Sequence, residues 1–276
     1  MIALTEDKRM LGYGVMTPYS NIFCFATTRR GGFSKGDYAS FNCTPYTGDD
    51  AESVRRNQEL LCNSMPQQPK ELVIPFQTHS TKVEVIDEKY LNATSDERTA
   101  TLQGVDALIT KEPGCCICIS TADCIPILLY DRKSQVVAAA HAGWRGTVNY
   151  IAGHTLDRMR ALYGTDGKDV IACIGPGISL PSFEVGEEVY EAFRMNGFAM
   201  DYISEWKPET HKHHIDLWAA NRIQLLDFGV PGEQIETSGI CTYMRHEEFF
   251  SARRLGIKSG RILSGIMIVD TKPQLF

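Results

Sequence analysis

The stretch at residues 115–140, CCICISTADCIPILLYDRKSQVVAAA, decides the fold that the sequence predicts. It contains three runs that are apolar almost throughout, at 115–120, 125–130 and 135–140. Such runs are typical of central strands that are buried on both faces. Only a few residues separate the runs, whereas a parallel crossover needs about a dozen residues or more. We therefore expect these three strands to be joined as hairpins.

Shorter strand signals and helical patterns lie on both sides of this stretch. Segments rich in β-branched and aromatic residues predict four further strands, at 21–28, 71–76, 82–86 and 262–269. Apolar residues recur at helical spacing in three segments, at 148–162, 185–193 and 216–228. Strands and helices alternate without a strict βαβ rhythm. The sequence therefore predicts an α/β fold with a mixed sheet and flanking helices.

Composition narrows the class of protein. The chain has 276 residues, of which 43% are hydrophobic and 22% charged, and no repeat or Pro/Ser-rich linker divides it, so we predict one catalytic domain over residues 1–276. The formal net charge of −6 argues against nucleic-acid binding. No apolar run has the length of a membrane span or of a secretory signal, so we expect a cytoplasmic protein. The odd count of nine cysteines argues against a disulfide framework.

Three short segments place reactive side chains at the ends of predicted strands. They are QTHS at 77–80, ADC at 122–124 and HAGWRG at 141–146. Polar groups at strand ends, held by a rigid scaffold, are a common architecture for active sites. The segments make His79, Cys124, His141 and Asp123 the candidate catalytic residues.

The chemistry of His79, Cys124 and His141 permits two interpretations. Two imidazoles and one thiolate suit zinc, and three protein ligands leave a fourth position at which water becomes a nucleophile near neutral pH. Alternatively, Cys124 is itself the nucleophile, a histidine is its base, and Asp123 orients that histidine. The intervals between the three residues match no local zinc-binding rule, so the residues alone leave both interpretations open.

Arginines beside glycines, and a pair of adjacent arginines after the FFS segment at 249–251, are candidates for binding an anionic substrate, because guanidinium groups bind phosphate well and glycine permits close backbone approach. One of them also stands near the start of a predicted helix, where free N–H groups favour anions. The candidates are Arg29, Gly31, Gly32, Arg145, Arg253 and Arg254. The histidines of the polar stretch KPETHKHH at 207–214 are interpreted as part of a solvated connector.

Taken together, these segments resemble the YfiH/DUF152 family, whose members have been called polyphenol oxidoreductase laccases, peptidoglycan-editing factors and purine nucleoside phosphorylases. Eight stretches between about residues 27 and 261 match in the family's order: TTRRGGFSKGDYASFN, QTHS, VDALIT, TADCIPILLYD, AAAHAGWRGT, CIGPGIS, FEVGEEV and FFSARR…SGR. The resemblance implies a single-domain fold related to bacterial toxin deamidase domains. It also implies a zinc ion held by His79, Cys124 and His141. The family commonly has Tyr where this chain has Ala252.

The resemblance implies purine nucleoside chemistry. The expected reactions are phosphorolysis of adenosine, inosine and methylthioadenosine, with phosphate as the second substrate, and deamination of adenosine. Asp123 is then the candidate proton relay, and Arg29 and Arg145 are the candidates for holding phosphate. Two alternatives remain: a zinc or cysteine amide hydrolase that acts on muropeptides, and a polyphenol oxidase in which copper replaces zinc. Seven histidines, only two of them in strong motifs, argue against a centre with several copper ions.

Overall fold

The computed structural model describes residues 1–270, which form fifteen β-strands and nine α-helices. The strands are β1 (Ile2–Ala3), β2 (Met10–Gly12), β3 (Ile22–Thr27), β4 (Glu71–Val73), β5 (Val83–Val85), β6 (Ala107–Thr110), β7 (Cys115–Thr121), β8 (Ile125–Asp131), β9 (Val136–Ala142), β10 (Val170–Ile174), β11 (Glu184–Val185), β12 (Ser204–Lys207), β13 (Lys212–Ile215), β14 (Ile235–Thr237) and β15 (Ile262–Ile268). The helices are α1 (Ala51–Asn63), α2 (Glu88–Leu91), α3 (Ser95–Thr101), α4 (Trp144–Val148), α5 (Ile151–Tyr163), α6 (Glu187–Met195), α7 (Met200–Ile203), α8 (Leu217–Phe228) and α9 (Ala252–Leu255).

The strands form two large sheets and one small sheet. The first sheet has the order β1-β2-β3-β15-β7-β4, the second has the order β14-β10-β8-β9-β6-β5, and the small sheet has the order β11-β13-β12. Most neighbours are antiparallel, but β4 with β7, β5 with β6 and β10 with β14 are parallel. The predicted mixed α/β class is therefore confirmed, and the strands are divided between several sheets.

The two large sheets pack face to face, which explains the continuous apolar runs. Alternate residues of β7 point to opposite faces, so Ile117 lies between the sheets while Cys118 faces the outer core of the first sheet. On β9, Val137 lies between the sheets and Ala138 faces the outer core of the second sheet. Both faces of these strands are covered, so neither face requires polar residues.

Helices cover the outer faces of the large sheets, as expected. Ile151 and Leu156 of α5 and Leu225 of α8 pack in the core on the outer face of the second sheet. Leu61 of α1, a helix that the sequence patterns did not predict, packs in the core on the outer face of the first sheet. The helix predicted over 148–162 corresponds to α5, which begins three residues later than predicted because Tyr150, between α4 and α5, is in a left-handed conformation (φ 59°).

The predicted hairpin between β7 and β8 is wrong. These strands belong to different sheets, although β8 and β9 do form an antiparallel hairpin. Residues 122–124 connect β7 to β8 through a bend in which Asp123 has a positive φ (90°), and three residues can span at most about 10 Å, close to the usual spacing of packed sheets. A short connection excludes a parallel crossover, but it permits a step between sheets as readily as a hairpin turn. This step places Cys124 where the chain enters the second sheet.

The interpretation of the histidine stretch as a solvated connector is also wrong for two of its residues. His213 and His214 belong to β13. The His213 ring stacks on Tyr190 with centroids 3.7 Å apart. His214 is buried, with Nδ1 3.0 Å from the carbonyl oxygen of Leu180. Among the helices formed by residues 1–270, none is long and apolar enough to cross a membrane.

Candidate metal centre and active site

The register of the second sheet brings Cys124 and His141 together. In the β8–β9 hairpin, Ile125 pairs with Ala142. Cys124 directly precedes β8, so it lies beside the end of β9, where His141 is the penultimate residue. On the other side of β9, the backbone N–H of His141 donates to the carbonyl oxygen of Asp106, at 2.7 Å. Three chain segments that are distant in sequence therefore meet at one end of this sheet.

His79 reaches the same place on the loop before β5, which runs parallel to β6. Its backbone is in the left-handed region (φ 61°), which is uncommon for residues other than glycine. The carboxylate of Asp106 accepts hydrogen bonds from the N–H groups of Thr78, His79 and Ser80, at 3.1, 3.0 and 2.7 Å. This buried carboxylate thereby fixes the loop beneath His79.

The side chains of His79, Cys124 and His141 form a group whose candidate ligand atoms lie within 4.8 Å of one another. Cys124 Sγ is 3.8 Å from His79 Nε2, and the two imidazole centroids are 4.8 Å apart with the ring planes at 67°. Gly143 makes this approach possible. A Cβ at Gly143 would lie 2.9 Å from both Cys124 Sγ and His79 Cδ2.

Hydrogen bonding and charge define the protonation of the group. His141 Nδ1 lies 2.7 Å from Asp106 Oδ1, so we assign the proton to Nδ1, which directs Nε2 toward the other two side chains. Burial opposes charge on both His141 and Cys124. For Cys124 the two histidines outweigh it and lower its pKa to about 6. For His141 the Cys124 thiolate and the Asp106 carboxylate raise its pKa to about 9.

The donor set fits a zinc-type ion. Typical bond lengths of about 2.0–2.1 Å to nitrogen and 2.3 Å to sulfur place S and N about 3.6 Å apart on a tetrahedron. The observed Cys124–His79 separation of 3.8 Å needs little adjustment to reach that value. Within residues 1–270 this is the one group of three or more His, Cys, Asp or Glu side chains arranged to hold a metal ion. The predicted metal ligands are therefore brought together.

The group opens into a cavity of about 400 Å³. Aromatic side chains line one part of this cavity, including Tyr46 and Phe76, whose rings meet edge to face with centroids 5.2 Å apart. Two arginines, Arg253 and Arg261, line another part. The cavity therefore combines the metal-binding group with flat apolar surfaces and positive charge.

The guanidinium groups of these two arginines hydrogen-bond to backbone carbonyls. Arg253 Nη1 donates to the carbonyl oxygen of Glu184 at 3.1 Å. Arg261 Nη2 donates to that of Ile257 at 2.9 Å, and Arg261 Nη1 to that of Gly260 at 3.0 Å. Neutral carbonyls orient a guanidinium without cancelling its charge. Both side chains therefore remain able to attract an anion into the cavity.

Asp123, the predicted proton relay, lines the cavity but has both carboxylate oxygens engaged. Oδ1 accepts from Thr242 Oγ1 and Oδ2 accepts from the backbone N–H of Arg253, each at 2.7 Å. These contacts tie the 122–124 connection to the start of α9. This geometry favours a role for Asp123 in positioning Arg253 and argues against a role as proton relay.

Several predicted anion-binding residues lie elsewhere. The described residues that line the cavity include neither Arg29, Gly31 and Gly32 nor Arg145 and Arg254. The Arg29 guanidinium donates to the carbonyl oxygens of Ala39 and His246. Arg145 stacks over Trp144, 4.3 Å from the ring centroid, and Arg254 lies 5.3 Å from the centroid of Tyr243. The predicted helix start near Arg145 is the five-residue helix α4.

Two residues at the site were not assigned a role from the sequence. Asp106 stands alone as an acidic residue in the apolar run VDALIT, and a buried unpaired carboxylate is costly, so its position signals a partner. Arg261 ends the SGR stretch, which matched the family without a proposed role. The sequence does not identify which residues these two side chains contact. The carboxylate of Asp106, for example, contacts residues that lie 26 to 35 positions away in the chain.

The chain has close relatives among proteins of known name. A family model described as multi-copper polyphenol oxidoreductase laccase matches residues 23–269. A purine nucleoside phosphorylase of Bacteroides thetaiotaomicron is 66% identical over 268 residues, which cover 97% of this chain and 99% of the relative. A protein named adenosine deaminase RL5, from an unknown prokaryotic organism, is 44% identical over 242 residues and covers 88% and 92% of the two chains.

Solved structures share the fold. YlmD from Geobacillus stearothermophilus matches with a TM-score of 0.84 and 30% identity, over 92% of this chain and 94% of that one. The YfiH protein of Bacillus licheniformis matches with a TM-score of 0.83 and 28% identity, over 91% and 94%. These likenesses confirm the predicted fold class. Because the sequence relatives are named as enzymes, this chain is an enzyme.

Proposed function

The chain belongs to the YfiH/DUF152 family, whose sequence model is described as multi-copper polyphenol oxidoreductase laccase, and we propose that it is a zinc-dependent purine nucleoside phosphorylase. The observation that carries the proposal is the meeting, in one cavity, of the His79–Cys124–His141 group with two arginines and an aromatic pair. The name and coverage of the relative from Bacteroides thetaiotaomicron support the same activity.

The purine base is assigned to the aromatic part of the cavity. Tyr46 and Phe76 are 43% and 38% exposed, although aromatic side chains of this size are usually buried more fully. A purine stacking against them would cover this apolar surface, and base–aromatic stacking contributes about 1–3 kcal/mol per base. The cavity volume of about 400 Å³ is also within the usual range of small-molecule sites.

Phosphate is assigned to Arg253 and Arg261. Both line the cavity and keep their charge available. Hydrogen bonds from guanidinium to phosphate are charge-assisted and often bidentate, which gives both strength and orientation. This assignment replaces Arg29 and Arg145, whose side chains lie outside the cavity.

The metal is assigned to His79, Cys124 and His141. When bound there, a zinc ion would supply a Lewis acid beside the nucleoside. The Cys124 thiolate contributes negative charge to the ligand set, so the ion should acidify water less than an ion held by three histidines. Asp106 holds the Nδ1 proton of His141 and thereby presents Nε2 as the ligand atom.

The remaining steps follow from the positions of these residues. Arg253 and Arg261 hold phosphate so that one of its oxygens can form a bond to C1′ of the ribose. The C1′–N9 bond breaks, and the departing base takes up a proton, which leaves ribose 1-phosphate. Holding both reactants in one cavity supplies much of the rate enhancement, since orientation alone can lower a barrier by about 7–11 kcal/mol.

The proposed substrates are adenosine, inosine and methylthioadenosine. Deamination of adenosine is proposed as a further reaction of the same cavity, in which water replaces the amino group at C6 of the purine. The relative named adenosine deaminase RL5 supports this second reaction. Phosphate has no part in deamination, so the two reactions are separable by experiment.

The test incubates the purified enzyme with inosine or adenosine, with and without phosphate, and separates the products by chromatography. Phosphorolysis predicts free base and ribose 1-phosphate only when phosphate is present. Deamination predicts inosine from adenosine whether or not phosphate is present. If neither product forms with a zinc-loaded enzyme, the proposed function is wrong.

One observation favours an amide hydrolase as a second candidate. Asp106, His141 and Cys124 lie in the order of a carboxylate, an imidazole and a thiol, and this arrangement can activate a cysteine nucleophile. The substrates would be muropeptides. Release of a free amine from a muropeptide by chelator-treated enzyme, abolished by iodoacetamide, would support this candidate. Absence of that release, together with phosphorolysis by the zinc form, would exclude it.

The family description raises a copper oxidase as well. Residues 1–270 provide one candidate metal group, whereas a multicopper centre needs several clustered histidines. Copper would compete well for the same donors, because divalent copper binds such ligands more tightly than zinc. We expect a copper-substituted enzyme to oxidise phenols weakly. If it oxidised phenols faster than the zinc enzyme phosphorolyses nucleosides, a copper oxidase would become the better assignment.

The proposed compartment is the cytoplasm. All nine cysteines lie within residues 1–270, and all of them are free thiols. Unpaired cysteines in this number suit a reducing compartment. The proposed partners are accordingly two small molecules, the nucleoside and phosphate.

A further inference from the structure

We infer that Asp106 is the positioning residue that assembles the metal centre, because its single carboxylate fixes two of the three ligand-bearing segments. The inference concerns metal binding by His79, Cys124 and His141. It does not depend on which reaction the bound metal serves. It can therefore be tested without any substrate.

The carboxylate of Asp106 accepts four hydrogen bonds from N–H groups of two different segments. Oδ1 accepts from the N–H of His79 at 3.0 Å and from Nδ1 of His141 at 2.7 Å. Oδ2 accepts from the N–H groups of Thr78 and Ser80 at 3.1 and 2.7 Å, and it lies 2.9 Å from Ser80 Oγ, whose single proton it shares with the carbonyl oxygen of Gly104 at 2.7 Å. Asp106 itself is fully buried. Each of its oxygens is therefore saturated with donors that belong to the metal site.

The backbone of Asp106 is fixed by the second sheet. Its carbonyl oxygen accepts from the N–H of His141 at 2.7 Å, and its N–H donates to the carbonyl oxygen of Lys82 at 3.0 Å. The next residue, Ala107, begins β6 between β9 and β5. The carboxylate is consequently held by strands, which position side chains more firmly than loops do. The loop carrying His79 is then fixed to it.

A charged acceptor is required at this position. Three consecutive N–H groups and an imidazole N–H all point at one carboxylate, and the backbone of His79 is left-handed (φ 61°). An asparagine has the same shape, but every contact of Asp106 is with a donor. Either orientation of the amide would place its NH₂ group against at least two donors. The substitution Asp106→Asn thus removes at least two of the fixing contacts and changes the side-chain volume little.

The consequence for the metal is a pre-arranged pair of ligands. Because Nδ1 of His141 donates to Asp106, the lone pair on Nε2 is directed toward Cys124 and His79. Loss of this contact frees the imidazole to rotate and to change tautomer. Loss of the contacts with residues 78–80 frees the His79 loop as well. The metal must then order both the imidazole and the loop when it binds, and this ordering costs free energy. The affinity for zinc should therefore decrease.

The experiment measures the zinc dissociation constant by competition with a chromophoric chelator, for the full chain and for two matched variants. Asp106→Asn should weaken zinc binding by about 10- to 100-fold, the usual cost of removing a partner of a ligating histidine. The control is Asp131→Asn. Asp131 is also fully buried and accepts from two backbone N–H groups, those of Lys133 and Ser134, at the opposite end of the β8–β9 hairpin.

Asp131→Asn should leave the zinc dissociation constant within about twofold, since Asp131 contacts no ligand segment and both of its hydrogen bonds are accepted by Oδ1, which an amide oxygen can replace. A wild-type zinc affinity in folded Asp106→Asn would overturn the inference. So would an equal loss of affinity in both variants, because that result would indicate general destabilisation. Failure of the zinc-loaded native enzyme to phosphorolyse nucleosides, together with the expected loss of zinc affinity in Asp106→Asn, would refute the proposed function and leave this inference standing.

A milder variant covers the case in which Asp106→Asn does not fold. Ser80→Ala removes a hydroxyl that Asp106 Oδ2 shares with the carbonyl oxygen of Gly104, and it should weaken zinc binding by about threefold to tenfold, the usual effect of one ordinary hydrogen bond. In the native chain, the Nδ1 proton of His141 should give a slowly exchanging downfield proton resonance. Unchanged zinc affinity in Ser80→Ala, or the absence of such a resonance in the zinc-loaded protein, would contradict the inference.

Discussion

Two regions of the molecule contain both arginine and glycine, yet only one of them lies beside His79, Cys124 and His141. The first is the cavity, with Arg261 and Gly143. The second is the loop of residues 29–32, which we call the Arg29 loop. In the cavity the guanidinium of Arg261 borders the open volume beside the candidate metal ligands. In the Arg29 loop the guanidinium of Arg29 is held against the carbonyls of Ala39 and His246 and stacks over Phe250, 4.9 Å from its centroid.

The glycines differ in the same way. A Cβ at Gly32 would lie 2.1 Å from the backbone oxygen of Ser40, so this glycine allows two backbone segments to pack together. A Cβ at Gly143 would instead meet side-chain atoms of Cys124 and His79, at 2.9 Å each. A glycine in a motif therefore indicates that other atoms approach the backbone closely, but it does not identify those atoms. In the Arg29 loop the glycine allows two backbone segments to approach each other. At the cavity the glycine allows the side chains of Cys124 and His79 to approach.

The largest expected effect is at the centre of the cavity. Cys124→Ala removes the thiolate, and two imidazoles alone should not retain zinc, so metal content should decrease from about one ion per chain to near zero and phosphorolysis should be lost. Metal analysis of the purified protein measures this. Cys62→Ala, on α1 and away from the cavity, is the control and should keep its zinc. Undiminished zinc in Cys124→Ala would refute the three-residue metal site.

The second prediction separates the arginines of the two regions. Arg261→Gln removes one of the two arginine charges at the cavity and should raise the KM for phosphate by about 10- to 100-fold, since a hydrogen bond to a charged group contributes about 1.5–3 kcal/mol. Steady-state kinetics with phosphate as the varied substrate provide the measurement. Circular dichroism should show that the fold is retained.

The matched variant in the other region is Arg29→Gln. It loses bonds to backbone carbonyls, so the free energy of unfolding should decrease by about 1–3 kcal/mol while the KM for phosphate stays unchanged. A raised KM in Arg29→Gln with no effect in Arg261→Gln would invert the comparison. That result would restore the anion site to the Arg29 loop.

The third prediction compares the glycines. Gly143→Ala should weaken zinc binding by about tenfold, because the methyl group must displace Cys124 or His79, and it should change stability little. Gly32→Ala should leave the zinc dissociation constant unchanged but lower the free energy of unfolding by about 1–3 kcal/mol or more, because the clash is with backbone. Denaturant unfolding and chelator competition on both variants provide the test. If both variants changed the zinc dissociation constant and the free energy of unfolding to the same extent, the two glycines would not differ in role.

The smallest effect is expected at Arg145. This arginine was predicted to hold phosphate, but its guanidinium lies over Trp144 on the exposed surface. Arg145→Ala should change stability by no more than about 0.5 kcal/mol and leave the KM for phosphate within about twofold. The same kinetic assay measures it. A tenfold increase in that KM would return Arg145 to the active site.

Much of the local structure could be predicted from the sequence. The apolar runs correspond to β7, β8 and β9 within one or two residues, and Gly229 ends α8 in the left-handed conformation, as its position predicts. The candidate ligands His79, Cys124 and His141 were also identifiable, because their side-chain types suit zinc and each stands at a strand end. These features depend on neighbours close in the chain, which a sequence displays directly.

Other features required contacts that no spacing encodes. The sequence showed Asp106 as an acid in an apolar run, but only the β6–β9 register places it beneath His141. It showed arginines beside glycines in three places, but not which guanidinium borders the cavity. The division of β7 and β8 between sheets was likewise hidden, because residues 122–124 are long enough for either a turn or a step between sheets.

By itself, the sequence determined what each segment or side chain is able to do. It indicated whether a segment can form a strand or a helix, whether a side chain can bind a metal or an anion, and whether it prefers to be buried or exposed. The tertiary structure alone decided which partner each group has. The physical reason is that side-chain chemistry is a local property, whereas pairing register and sheet order relate segments tens of residues apart. Cys124 and His141 meet because Ile125 pairs with Ala142, and a shift of that register by one residue would separate them.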